Sequence, residues 1–254
     1  MKRSKITILL AIVLGMTFHS CLDLEPQDQL GGKNMWTSVN DYKQFANTFY
    51  SWTRDFSSVV YDGTHSDKRS DLITYQSYNE FSRGINSIPS SDANYTDNYK
   101  HIRRTNLLLQ NAEAYAKPED IKQYIGEAYF FRAYSYFDLL QLYGDVIITK
   151  KPLDITDPEM KVKRNDRSEV VDLIIDDLNH AVENLPAFKE LTTEEEGRIS
   201  KEGAQAFLSR VALYEGTWQK SRNGNQNTQR SANLLDIAAK AARTVIDAKY
   251  GYTF

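Results

Sequence analysis

Residues 127–146 read EAYFFRAYSYFDLLQLYGDV. Apolar and aromatic side chains recur here at the three- and four-residue steps of an α-helix: Ile125, Ala128, Tyr136, Leu139 and Tyr143 fall on one face together with Arg132. Gly144 closes the run, as glycine commonly does at a helix C-terminus. The stretch predicts a helix over 118–143, an extended piece at 146–149, and a core-facing stripe that carries one cation. Arg132 is read as structural. Its stem packs, and its head pairs with an acid of a neighbouring helix, Asp176 or Asp177.

Outward from this helix the same periodicity predicts five more. Upstream lie 39–52, with Phe45, Ala46, Phe49 and Trp52 at helical spacing, and 95–116, stopped by Pro118. Downstream lie 168–185, with Ser168 as its cap and Pro186 beyond its end, then 200–218 and 232–249. The polar stretch 220–230, with its Gly-Asn and Asn-Gly steps, reads as a surface loop. Residues 53–94, rich in Ser, Asp, Tyr and Gly, read as one long loop. A loop of that length in a compact domain is more often functional than idle.

Two of these helices share a pattern. Ala128, Arg132 and Tyr136 are spaced by four, and so are Ala206, Arg210 and Tyr214, 78 residues later. Each such helix is followed by a second amphipathic one. The expectation is an all-α fold of tetratricopeptide-like helical pairs with long loop insertions. Both arginines should then sit buried in equivalent places.

The chain begins with Lys2, Arg3 and Lys5, continues with an apolar run to Phe18, and reaches its only cysteine, Cys21, directly after Ser20. The run is shorter than the about 20 residues a bilayer span needs, and it fits a secretory signal over 1–20. A single thiol has no partner for an internal disulfide, but it can carry lipid. Phe18-His19-Ser20-Cys21 is similar to a bacterial lipobox, from which Phe18 and His19 depart. Removing the three leading cations leaves 28 basic against 34 acidic residues, a charge of about −6. That balance gives no support for nucleic-acid binding. Histidines stand apart without metal-ligand spacing, and phosphate loops and nucleophile elbows are absent from the sequence. No catalysis, metal or cofactor is called for.

The segments LDLEPQDQL, NYKHIRRTNLLL, EAYFFRAYSYFDLLQLYGDVIITKKPLD, EVVDLIIDDLNHAVENLP and RISKEGAQAFLSRVALYEGTW resemble, in this order, the N-terminal half of SusD/RagB-type lipoproteins of Bacteroidetes. Tyr95 stands where the family usually carries Trp, and Ile147 where it often carries Pro. The resemblance implies an outer-membrane lipoprotein, anchored through Cys21 and facing outward. It would capture a nutrient, an oligosaccharide or a peptide, for a SusC-like TonB-dependent transporter. It also implies that 21–254 is the N-terminal helical repeat domain of a protein about twice as long. On that expectation this chain alone binds ligand no better than roughly millimolar, and the last helix exposes Ala238, Ala242, Val245 and Ile246 as an uncovered apolar patch.

Aromatic rings would carry the capture, because tyrosine stacks on the C–H face of a sugar and hydrogen-bonds at its edge. The candidates are Tyr61, Tyr75, Tyr78, Arg83, Tyr95 and Asn98. Tyr129, Phe131 and Tyr134 read as core. The alternative class is a helical-repeat scaffold for protein partners, without a small ligand of its own.

Overall fold

The computed structural model describes residues 35–54, 72, 80, 82–222 and 228–248. The chain divides into a unit Met1–Thr37 and a unit Ser38–Phe254, and every described helix lies in the second. Cys21 lies outside the described residues.

Among the described residues six α-helices follow one another: α1 (Val39–Asn47), α2 (Ala93–Glu113), α3 (Lys122–Tyr143), α4 (Arg167–Asn184), α5 (Lys201–Ser221) and α6 (Thr228–Asp247). Their ends follow local chemistry. Ser38 accepts from the Asp41 N–H, and the Asp41 carboxylate accepts from the Ser38 N–H at 2.8 Å, so two orphan donors of α1 are satisfied reciprocally. α1 then tightens into a 3-10 turn, Thr48–Trp52. Asp92 caps α2 through the Asn94 N–H at 2.9 Å. Gly144 ends α3 with φ at 73°, a conformation side chains resist. The extended piece after α3 amounts to a single antiparallel bridge, Val146 to Asn165. α4 starts one residue ahead of the expected cap. Ser168 lies inside its first turn, while the Asp145 carboxylate accepts the Arg167 N–H at 2.9 Å and Glu169 accepts the Asp166 N–H at 3.0 Å.

Each helix from α2 on packs against the next, and α1 lies on α2 and α3. The stack is thus the tetratricopeptide-like arrangement expected. α3 is its centre. Ala128, Phe131, Ala133, Tyr136, Leu139 and Leu140 have no exposed surface, and each large apolar side chain so buried contributes about 1.5–3 kcal/mol. Close approach of helices is set by glycine: a Cβ on Gly126 would stand 2.9 Å from Leu185 Cγ at the end of α4, and one on Gly216 3.0 Å from Leu235 in α6.

Three buried arginine–carboxylate pairs bind successive layers. Arg132 reaches Asp177 of α4 with two hydrogen bonds, 2.6 and 2.8 Å, and Asn106 of α2 with a third at 2.8 Å. Arg198, just before α5, holds Glu127 of α3 at 2.7 Å through both oxygens and Asn47 of α1 at 2.5 Å. Arg167 at the start of α4 holds Glu215 of α5 at 2.7 Å and lies 4.0 Å above the Trp218 ring. Burial raises the carboxyls of Asp177 and Glu127, and the paired guanidinium groups pull them back down. Removing either partner would strand a buried charge.

The 78-residue correspondence does not hold. Arg132 is buried and paired, but Arg210 is exposed, as is Ala206. α3 is covered on almost every side, so any four-residue pattern in it falls on buried positions. α5 has one buried stripe, through Ala204, Leu208, Val211, Ala212 and Glu215, and Ala206 and Arg210 lie off it. The expected bare face of α6 is also smaller than its composition implies. Ala238 is buried, with its carbonyl accepting from the Ser209 hydroxyl at 2.9 Å, Ala242 and Val245 are half-buried, and Ile246 alone of the four is exposed.

Candidate functional site

The first two turns of α2 carry polar side chains on one side and tyrosines on the other. Asn98 is buried; its amide donates to the Asn94 carbonyl at 2.8 Å and to Asp138 of α3 at 2.9 Å. The other oxygen of Asp138 meets the Arg54 guanidinium. The Trp52 ring stacks on His101, 4.1 Å between centroids and 14° from parallel. Burial lowers the His101 pKa to about 4, against the opposing pull of Asp97. Together with Tyr134 these groups line a hollow of about 160 Å³.

On the far side of the same turns, Tyr95 lies 4.8 Å from Tyr99 and meets Tyr143 edge-on at 5.3 Å. The trio is held from below. The Tyr143 hydroxyl donates to Asp92 at 2.7 Å, and the Tyr99 hydroxyl donates to the Ile147 carbonyl at 2.8 Å. Burial pushes the Tyr99 phenol well above its ordinary value, so this ring is a neutral donor throughout the physiological range. Tyr95 and Tyr99 open onto a groove of about 510 Å³ with Ile147, Leu153 and Met160 in its walls and Lys100, Arg103 and Lys151 among its polar residues.

A third cavity, about 740 Å³, lies between the Thr48–Trp52 turn, α3 and the start of α5. Tyr50, Phe130, Tyr134 and Phe207 supply its aromatic walls, and it shares Arg54, Tyr134 and Asp138 with the small hollow. The small hollow thus lies between α2 and α3, the groove between α2 and the segment after α3, and the large cavity between α3 and α5. Aromatic faces next to amide, carboxylate and guanidinium groups can stack on a ligand and hydrogen-bond to it. Among the described residues no group of three His, Cys, Asp or Glu side chains could hold a metal ion.

Of the residues singled out from sequence, Tyr95 and Asn98 are one helical turn apart but line different spaces, the groove and the small hollow. Arg83 is exposed in a turn before α2 and lines none of these spaces. Tyr61, Tyr75 and Tyr78 lie outside the described residues. Phe131 is core as read, whereas Tyr134 is half-buried and faces two of the cavities. Tyr99, Arg54 and Asp138 are additions. A signal exists for Asp138: one turn after Tyr134, it shares the small hollow with Asn94, Asp97, Asn98 and His101 of α2.

The family profile SusD-like, described as starch-binding associating with outer membrane, matches residues 22–213. SusD-like protein P38 of Formosa agariphila is 28% identical over 233 residues, 84% of this chain and 42% of that protein. A SusD-like protein of Bacteroides ovatus is 29% identical over 123 residues, 48% of this chain and 20% of its own length. Among solved structures, a SusD-like protein of Bacteroides fragilis superimposes with a TM-score of 0.68 at 25% identity, covering 91% of this chain and 42% of that one. A laminarin-binding SusD-like protein gives 0.50 at 29% identity, covering 63% and 32%. The chain spans less than half the length of each of these relatives.

Proposed function

Since the chain belongs to the SusD-like family, we propose that it captures an oligosaccharide outside the cell and delivers it to a TonB-dependent outer-membrane transporter. It does so as a lipoprotein anchored through Cys21, and it binds rather than transforms its ligand. The observation that carries the reading is the tyrosine trio at the head of α2. Tyr95, Tyr99 and Tyr143 are fixed against one another and against backbone and carboxylate partners, so little ordering entropy remains to be lost when a ring stacks on a sugar. A relative that binds laminarin favours a glycan over a peptide, and the aromatic arc favours a small ligand over a bare scaffold groove.

Ligand-observed NMR of the full chain with laminarin, xylan and starch oligosaccharides and with mixed peptides tests the capture step. At least one oligosaccharide should bind, and Tyr95→Ala should weaken it about fivefold, as loss of one stacking contact of about 1 kcal/mol requires. Binding of peptides alone, or an unchanged affinity in the variant, would refute the reading. The anchor is checked separately: a Cys21→Ala chain that stays on washed membranes has no lipid there.

A further inference from the structure

The cavity of about 740 Å³ holds a charge that has no counter-ion among the described residues. Its charged lining consists of Arg54, Asp138, Arg198 and Arg210. Asp138 is engaged by Arg54, and Arg198 is engaged by the buried Glu127 behind the wall. Arg210 is left over. It lies off the buried stripe of α5, is exposed, and has no ion pair among the described residues. It is near enough to Arg54 that, after burial, its repulsion helps lower the Arg54 pKa. With Arg54 held by Asp138, Arg210 leaves one uncompensated positive charge facing an aromatic-walled space, and such a charge attracts an anion.

We propose that this cavity recognises the acidic group of a sugar residue, a uronate carboxylate or a sulfate ester, through Arg210 with Arg54 beside it. The guanidinium fork matches either group, both of which present oxygens in pairs. The walls explain why the anion belongs to a sugar. Phe207 and Tyr134, both half-buried, offer apolar faces to a ring, and the hollow lined by Asn98 shares Arg54, Tyr134 and Asp138 with this space. A sugar resting on these walls would set its acidic group against Arg210. The inference rests on the glycan reading and narrows it to acidic oligosaccharides.

The test uses the full chain and ligand-observed NMR with three probes: oligogalacturonate, sulfated galactan oligosaccharides and neutral laminarin oligosaccharides, at low and at high salt. One of the acidic probes should bind about tenfold more tightly than the neutral one at low salt, with the advantage shrinking as salt is added. Whichever acidic probe leads identifies the group. Arg210→Gln should remove the advantage and leave the neutral probe unaffected, because the position is exposed and outside the tyrosine trio. Equal binding of all three probes, or an acidic preference that survives Arg210→Gln, overturns the inference while the glycan reading stands. If no probe binds and the wider glycan panel is also silent, both fall.

Discussion

Asp177 has no exposed surface, yet it holds a charge opposite Arg132 and, through that guanidinium, Asn106. Desolvating both ions consumes most of their attraction, so the pair adds little net stability while fixing how α2, α3 and α4 meet. Asp177→Asn should therefore cost about 3–5 kcal/mol in urea denaturation, because Arg132 stays buried with its counter-charge gone. Replacing both, Arg132→Met with Asp177→Leu, should cost much less. A single variant within 1 kcal/mol of the parent would show that water or relaxation rescues the arginine. This pair was legible in the sequence because an arginine on an apolar face needs an acid within reach of the next helix. The Glu127–Arg198 pair was not, since its partners are 71 residues apart and Arg198 sits in a loop without periodicity. The same asymmetry holds at the site. The candidates Tyr95 and Asn98 stand on one helix, whereas Arg54, Asp138 and Arg210 line one cavity from three segments that only the packing brings together.

Helices were legible because apolar spacing records which face is buried, and their joins were less so because caps can come from afar. The start of α4 shows this: the group that receives its first N–H is Asp145, 22 residues back. Close packing between elements is equally hidden, since a glycine in a helix looks like a weakness until its neighbour is seen. Gly126 is such a case. Alanine there would gain up to about 1 kcal/mol of helix propensity, but its Cβ would lie 2.9 Å from Leu185 Cγ and 3.1 Å from Asn184 Cβ. Neither atom is the free end of a side chain, so overpacking of about 1–3 kcal/mol outweighs the gain. Gly126→Ala should lower stability by about 1 kcal/mol, and its added cost should be smaller in a Leu185→Ala background. A Gly126→Ala chain as stable as the parent would mean that the α3–α4 join yields more easily than its contacts indicate.

A stack in which each helix rests mainly on its neighbours has a stability that varies along it. α3 is enclosed by α1, α2 and α4 and reaches α5 through Phe130, Tyr134 and Phe137 against Phe207. α6 rests chiefly on α5. Its attachment is also uneven. At its start Arg230 donates to Asp172 at 2.8 Å and to the Ser168 carbonyl at 3.0 Å in α4, and Ser231 donates to the Gly216 carbonyl at 2.8 Å. After Ala241 its residues are exposed or half-buried, and the contacts there are ion pairs on the surface, such as Arg243 with Asp247, each contributing at most about 1 kcal/mol. Native-state hydrogen exchange should therefore show α3 amides opening only with the whole molecule. α6 should open at a free energy lower by a few kcal/mol, with residues 241–247 exchanging ahead of 228–235. Uniform protection from α3 through the end of α6 would mean that the stack unfolds as one unit, and that tethers such as Arg230 carry far more of the coupling than their exposure implies.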